Sequence, residues 1–127
     1  MAEWSIGSVA DAVQTLVENI PSTISGAPLI GITDRVRTFM EDFTGDNIGS
    51  TAFAAKYQGA MVDLTASDLL EYMELVGVDV SNVKLGDLSL SQGAGGNIAT
   101  AKQGLRKMGM RKLQELGHTT KFAKAFG

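Results

Sequence analysis

The amino-acid sequence predicts a mainly α-helical protein: a small bundle of about four helices, with a short β-hairpin or loop insertion before the last helix and an extended C-terminal arm. Apolar residues recur at helical spacing through most of the chain, whereas the period-two alternation of strands is confined to one short segment. With 127 residues, 44% of them hydrophobic, the chain is long enough for one hydrophobic core. We therefore expect one helical domain over residues 1–117, with the insertion at residues 78–97, and an arm at residues 118–127.

The first helix is predicted over residues 8–19, with Ser8 as its N-cap and Pro21 as the residue that stops it. Trp4, just ahead of it, is interpreted as a packing anchor. Pro, Ser and Gly crowd together in residues 21–28, which predicts a connection. The apolar stripe of this helix comprises Val9, Val13, Leu16, Val17 and Ile20.

The second helix is predicted to follow this connection and to end at residues 44–47, where the sequence reads TGDN. One face of it is apolar, so we expect that face to meet the core. The apolar side chains on this face are Ile32, Val36, Phe39, Met40 and Phe43.

The third helix, predicted over residues 51–76 and ended by Gly77, has two apolar faces. One carries Phe53, Tyr57, Ala60, Met61 and Leu64, and the other carries Val62, Ala66, Leu69, Met73 and Val76. Two interpretations stay open: the helix is the central rod of the bundle, or one face meets another subunit. In the second case Val62, Leu69 and Met73 are the candidate interface residues.

Four acidic residues also lie along the third helix: Asp63, Asp68, Glu71 and Glu74. Paired carboxylates can perform acid–base catalysis, but no histidine, lysine or metal partner is near them in the sequence. We therefore predict an exposed acidic stripe.

After Gly77, two short alternating segments separated by GD at residues 86–87 predict a β-hairpin. The loop GAGGN at residues 93–97 has the layout of a phosphate-binding loop. However, no Lys-Ser or Lys-Thr pair follows it, and Ile98 stands where the dinucleotide fingerprint needs a third glycine. We therefore interpret it as a flexible loop, with Asn97 as the N-cap of the last helix.

The last helix is predicted over residues 98–116, ending at Gly117, with Met110 off its apolar stripe. Gly104 and Gly109 inside this helix each cost about 1 kcal/mol relative to alanine, which predicts close approach by another backbone. The stripe comprises Ile98, Ala101, Leu105, Met108 and Leu116.

The formal net charge of −3 hides an asymmetry along the chain. Residues 1–100 carry 13 acidic and 4 basic residues, a balance of −9, whereas residues 101–127 carry 7 basic residues and Glu115, a balance of +6. The basic end is compatible with nucleic acid, an acidic partner or a second copy of the chain, and also with lysines that only solvate the last helix. No apolar run approaches the length of a membrane span.

Four stretches, MVDLTASDLLEYM, GVDVSNVKLGDLSLSQGAGGN, LRKMGMRKLQELG and KFAKAFG, carry a resemblance to a known family. Together they resemble the head–tail connector proteins of tailed bacteriophages, the adaptors that form a ring beneath the portal. The likeness covers residues 57–127, and its most recognisable part is the run LGDLSLS. Residues 1–50 are similar only in having helices of about the right length.

The resemblance implies a virion structural protein that is assembled in the host cytoplasm and located in the neck, between capsid and tail. Its implied partners are the portal protein, a further neck or tail-completion protein, copies of itself in a ring of commonly twelve subunits, and the double-stranded DNA that passes through without sequence recognition. It also implies that the hairpin contacts neighbouring subunits or the neck and that the arm docks to the portal. The hairpin residues concerned are Lys84, Leu85, Asp87, Leu88 and Leu90, and those of the arm are Lys121, Phe122, Lys124 and Phe126.

The sequence disfavours two other classes of function, a nucleic-acid-binding regulator and an enzyme. A small helical nucleic-acid-binding regulator would use the basic last helix, but a pI near 5.0 and the lack of a clear helix-turn-helix spacing disfavour it. An enzyme would need a nucleophile or a base, and the chain offers only His118, in the tail, and no cysteine. We therefore predict no catalytic residue, no cofactor and no metal site.

Overall fold

The computed structural model describes residues 3–17, 20–78 and 98–117. In these ranges the chain is mostly helical, as the sequence predicts. The elements in chain order are β1 (Glu3–Trp4), α1 (Ile6–Leu16), α2 (Ser22–Ser25), α3 (Ala27–Thr44), β2 (Phe53–Ala54), a 3₁₀ turn (Ala55–Tyr57), α4 (Gln58–Leu75) and α5 (Ile98–Gly117).

The first helix begins earlier than the sequence predicts, because Ser5 rather than Ser8 is its N-cap. Ser5 has an extended backbone, and its side chain accepts a hydrogen bond from the backbone N–H of Ser8 at 3.2 Å. This satisfies one of the free donors of the first turn. The helix ends at Leu16, before the predicted boundary. Trp4 is half-buried and packs against the core, as expected of an anchor.

Residues 21–28 are not a simple connection, which corrects the prediction. Pro21 is the N-cap of α2, and its carbonyl accepts from the N–H groups of Ile24 and Ser25. Pro28 lies in the first turn of α3. A proline costs little in a first turn, where its missing N–H has no helical partner, so both prolines start helices here.

The end of α3 agrees with the prediction. Gly45 caps the helix in the left-handed conformation, with φ of 78°, and donates its N–H to Glu41. The following loop is tied back to α3, since Arg37 donates to the carbonyl of Ile48 at 2.7 Å and Glu41 accepts from the N–H of Ile48 at 2.8 Å. One predicted core residue differs, because Phe39 is 39% exposed.

The fourth helix begins at Gln58 rather than near residue 51, because Phe53 pairs with Trp4 in an antiparallel two-residue strand contact. Ile6 also donates its N–H to the carbonyl of Ser50. These tertiary hydrogen bonds keep the segment extended until the 3₁₀ turn. At its other end α4 closes as predicted: Gly77 has φ of 82°, and the N–H of Val78 donates to the carbonyl of Met73.

Helix α4 is the central rod of the bundle. It contacts α1, α3 and α5, and its largest contact is with α5. Both of its apolar faces are therefore largely covered by the chain itself, except at Val76, which is exposed. The candidate interface residues Val62, Leu69 and Met73 are 8%, 0% and 0% exposed. This corrects the alternative in which they face another subunit, because a side chain buried in its own core offers no surface to a partner.

The contact between α4 and α5 is close at one glycine. A Cβ atom built on Gly109 would lie 2.7 Å from Cγ of Leu64, so the prediction of a close approach is confirmed there. The neighbour is a side chain rather than a backbone. A Cβ on Gly104 would meet nothing within 4 Å, and that prediction is wrong. Leu113, which the predicted stripe omitted, is fully buried.

Candidate functional site

The acidic residues of α4 face the basic residues of α5. Because the two helices run antiparallel, Asp63 pairs with Lys112 near one end and Glu74 pairs with Lys102 near the other, at 2.7 and 2.6 Å. We call this set of pairs the α4–α5 seam; it also includes Asp68 with Arg106 at 3.6 Å and Glu71 with Lys102 at 3.9 Å.

The prediction of an exposed acidic stripe is confirmed at Glu71 and Glu74, whose side chains are exposed, and is wrong at Asp63, which is buried. The basic partners of these residues are far away in the sequence and come together with them only when the two helices pack. Asp63 is 7% exposed as a residue, and Lys112 covers it while its stem passes over Gly59. A buried carboxylate requires such a partner, because an unpaired buried charge is strongly destabilising.

Beside the seam lies an open groove between α3 and α4, with Arg106 of α5 at its edge. We call it the α3–α4 groove. Its volume is about 380 Å³, and its lining combines apolar, aromatic and charged side chains. The lining residues are Arg35, Val36, Phe39, Leu64, Asp68, Glu71, Tyr72, Leu75 and Arg106.

The electrostatics of the groove centre on Asp68. Burial is the main cause that raises the pKa of its carboxyl above the ordinary value, and the charge of Arg106 opposes it. Glu71 adds to the rise and Arg35 opposes it, each to a smaller extent. The groove therefore has two carboxylates and two guanidinium groups around an apolar floor.

The outer face of α5 carries the bases that the seam does not use. Lys107 and Arg111 are exposed, and neither forms an ion pair with the part of the chain that the structure describes. Met108 and Met110 are half-buried on the same helix. Of the five bases of α5, three are thus paired in the seam, and Lys107 and Arg111 form no ion pair within the described ranges.

The arrangement of polar groups in the described ranges is typical of structural contacts. Burial, together with the hydrogen bond that its hydroxyl donates to Asp46 at 2.7 Å, raises the pKa of Tyr57 to about 12. This phenol therefore stays protonated near neutral pH and acts as a tie between α4 and the preceding loop. Within residues 3–17, 20–78 and 98–117, no three His, Asp or Glu side chains are placed to hold a metal ion.

The remaining predicted site residues lie outside the described residues. They are the hairpin residues Lys84, Leu85, Asp87, Leu88 and Leu90 and the arm residues Lys121, Phe122, Lys124 and Phe126. Asn97 and His118 also lie outside. The sequence did not predict the α3–α4 groove. Its one signal is Phe39, a large apolar residue that follows the polar residues Arg37 and Thr38, next to Met40, which fills the core.

Comparisons of the chain with protein-family models, with curated proteins and with solved structures give no match. The fold itself defines the class of the protein: a small helical bundle in which α4 and α5 are paired. Among the described helices, none is both long and apolar enough to span a membrane.

Proposed function

We propose that the chain is a virion structural protein, a head-to-tail connector adaptor of a tailed bacteriophage. In this role it forms an oligomeric ring beneath the portal, links the portal to a downstream neck or tail-completion protein, and lines the channel through which DNA passes. It acts by binding and not as an enzyme.

One structural observation supports this proposal above the others. The ion pairs Glu74–Lys102 and Asp63–Lys112 align α4 and α5 antiparallel. As a result, the end of α4 at Leu75 and the start of α5 at Ile98 lie at one end of the helix pair, and Gly117 lies at the other. The 20 residues of α5 separate these ends by about 30 Å. An adaptor has to bind two partners, and two chain ends about 30 Å apart are compatible with that requirement.

The resemblance supplies the second support. The run LGDLSLS, the part most like connector proteins, falls in sequence between α4 and α5, and KFAKAFG, which shares the resemblance, follows α5 in sequence. The covered core means that ring contacts have to use surfaces other than Val62, Leu69 and Met73. In this proposal the contact regions are the predicted hairpin, the charged side chains of α4 and α5, and the C-terminal arm.

The test is assembly with a portal ring. The purified chain is mixed with the portal protein from the same genome, and the complex is examined by light scattering after size exclusion and by negative-stain microscopy. We expect a second ring attached to the portal. A Phe122→Ala/Phe126→Ala variant should lose attachment, whereas Ile30→Ser, which alters an exposed apolar residue of α3, should keep it. Failure of the unaltered chain to bind any portal ring contradicts the proposal.

The nucleic-acid-binding regulator has less support. Of the five bases on α5, three are paired within the chain in the seam. Among contacts with the described residues, only Lys107 and Arg111 on that helix have no ion pair that a phosphate contact would have to break. Each phosphate contact adds to affinity through counterion release, so two contacts give weak binding. A tight, salt-sensitive shift of labelled DNA by the isolated chain would favour the regulator.

A further inference from the structure

The side of α5 that faces away from α4 is cationic, and we call it the α5 outer face. We define it by four exposed residues that recur at helical spacing: Gln103, Lys107, Arg111 and Gln114. Gln114 follows Gln103 by eleven positions, which is about 17 Å of helix. An open cavity of about 1010 Å³ lies over this face. Its described lining includes three bases, Arg106, Lys107 and Arg111, and no carboxylate.

The two central cations of this face are not neutralised by the acids of the chain that the structure describes. Lys107 and Arg111 take part in none of the ion pairs in these ranges. The acidic residue of α5, Glu115, lies in the last turn and is not among the described residues that line the cavity. The face therefore keeps two positive charges one helical turn apart.

The α4–α5 seam separates the acids of α4 from this side of the molecule. Arg106 pairs with Asp68 at 3.6 Å and Lys112 pairs with Asp63 at 2.7 Å, while the side chains of the two bases remain 57% and 47% exposed. At 100° per residue, the two bases lie on opposite flanks of the α5 outer face. A polyanion that approaches α5 from outside therefore meets cations before it meets carboxylates, and the local field attracts it although the chain as a whole is acidic.

We propose that the α5 outer face contacts the phosphate backbone of double-stranded DNA. Lys107 and Arg111 supply the positive charge that releases counterions from phosphates. The amides of Gln103 and Gln114 supply neutral donors of the kind that bond phosphate oxygens. Such contacts fix DNA against the helix without reading its sequence.

The composition of the face favours duplex DNA over the other polyanions that a cationic helix could bind. A specific protein interface generally has a core of apolar or aromatic side chains, and none of the large exposed apolar side chains in the described ranges lies on α5. Single-stranded DNA is generally held by stacking on aromatic side chains, and the sequence of α5 contains no aromatic residue. Contact with a duplex backbone requires neither feature.

The contact follows from the charges of α5, whereas its role rests on the proposed function. If the chain is a connector adaptor, the α5 outer face is the surface that the ring presents to the DNA in its channel. Each subunit neutralises few phosphates, so each contact is weak, and weak backbone contacts let DNA slide. The ring repeats the same face around the channel, which keeps the DNA centred.

The test titrates the isolated, isotope-labelled full-length chain with a short DNA duplex at low salt, with no portal present. We expect the amide resonances of Gln103, Lys107 and Arg111 to shift and those of Ile30 to stay unchanged. The logarithm of the binding constant should fall with the logarithm of the salt concentration with a slope of about −2, because two phosphates are neutralised. A second duplex of equal length and different sequence should bind equally well.

Three substitutions of exposed bases assign the contact. Lys107→Gln and Arg111→Gln should each weaken binding at every DNA sequence and reduce the salt slope by about 1, and the double variant should show no shifts. Lys56→Gln is the matched control, because it removes an exposed base outside α5 and should leave the slope unchanged. Circular dichroism should show the same helical signal in all these variants.

Two results would overturn the inference. One is a duplex that shifts no resonance of the α5 outer face, or a double variant that binds the duplex as tightly as the unaltered chain. The other is polyglutamate of the same number of charges binding this face more tightly than the duplex does, because that result assigns the face to an acidic protein segment. Portal attachment is measured separately, so a failure of the DNA contact and a failure of the proposed function are distinguishable.

Discussion

At the scale of single residues, two glycines without side chains, Gly109 and Gly59, determine how closely α4 and α5 pack. Gly109 allows α5 to approach Leu64 and Asp63 of α4, and Gly59 leaves room for the stem of Lys112. The same stem ends in the ammonium that pairs with Asp63. Two small residues therefore permit the close contact on which the buried ion pair depends.

Gly109 and Gly104 form a matched pair for testing this point. Gly109→Ala places a Cβ 2.7 Å from Cγ of Leu64 and 3.2 Å from Cβ of Asp63, so the Leu64 side chain or the helix backbones have to shift. We expect a net loss of about 1–3 kcal/mol in the free energy of unfolding, typical of overpacking. Gly104→Ala meets nothing within 4 Å and should stabilise by up to about 1 kcal/mol.

Urea unfolding followed by circular dichroism measures both variants. Equal stabilisation by the two alanines would contradict the close approach at Gly109. The control is internal, since both glycines lie in α5 and both gain the same helix propensity.

At the scale of elements, the α4–α5 seam joins helices of opposite charge. Its pairs are partly exposed, so each one contributes modestly, and the exposed Arg106–Asp68 pair least of all. Their combined effect is to select one partner and one register for α5. Ser67 contributes to the same register, because its hydroxyl donates to the carbonyl of Lys102 at 3.0 Å.

The Asp68 carboxyl makes the seam sensitive to pH. Burial raises the pKa of Asp68 in the folded state, so the folded protein binds a proton at this carboxyl more tightly than the unfolded chain does. This contribution to stability is present below the pKa of the unfolded state and is lost as the pH rises through the pKa of the folded state. Arg106 opposes the rise, so Arg106→Gln should raise the pKa of Asp68 further. The variant should then be less stable than the unaltered chain near neutral pH, and the difference should shrink at a pH where Asp68 is protonated in both states.

Carbon-13 titration of the Asp68 carboxyl and urea unfolding at two pH values check this prediction. Lys107→Gln removes an exposed neighbouring cation that has no ion pair within the described chain, and it is the matched control. An Asp68 pKa that is the same in both variants would contradict the assigned cause.

The position of α4 predicts the effect of charges placed on either of its faces. Leu64, Leu69 and Met73 are 2%, 0% and 0% exposed, so Leu64→Asp, Leu69→Asp and Met73→Asp should each unfold the chain. Loss of the helical circular dichroism signal is the measurement. A folded Leu69→Asp protein with only its self-association impaired would restore the interface interpretation. Leu75→Asp, at an exposed position of the same helix, is the control.

At the scale of the whole molecule, the hydrophobic core is closed within one chain. Its members come from all five helices, together with Val17, Ile48, Phe53 of β2 and Tyr57 of the 3₁₀ turn. Nothing in the core of the described ranges requires a second subunit to cover it. The described ranges therefore form a folded unit with a core of its own.

A closed core predicts a stable monomer in the absence of partners. The thermal midpoint should not change over a hundredfold dilution, since only a protein that unfolds with dissociation has a concentration-dependent midpoint. Scanning calorimetry, paired with sedimentation at the same concentrations, measures this. A midpoint that falls on dilution would show that subunit contacts contribute to folding.

Much of the fold could be predicted from local patterns. The glycines at 45 and 77 end their helices as expected, because a left-handed residue at that point satisfies the last carbonyls with little strain. The start of α4 could not be predicted in this way, because Phe53 pairs with Trp4, about 50 residues earlier, and this strand contact replaces the first predicted turn of the helix. The partners of Asp63 and Asp68 were likewise missed, since Lys112 and Arg106 approach only when α5 packs.

The sequence by itself therefore determined the helical class, the apolar stripes and the charge difference between the two parts of the chain, because periodicity, capping and composition act over a few neighbouring residues. Tertiary structure decided which surfaces remain. Packing around α4 buried most of both of its apolar faces but left Val76 exposed. Antiparallel pairing placed three of the five bases of α5 against the acids of α4, and the contact of α3 with α4 left a groove at Phe39 and Leu75. These outcomes depend on contacts between residues distant in the sequence, whose positions are set only when the hydrophobic faces of the helices pack together.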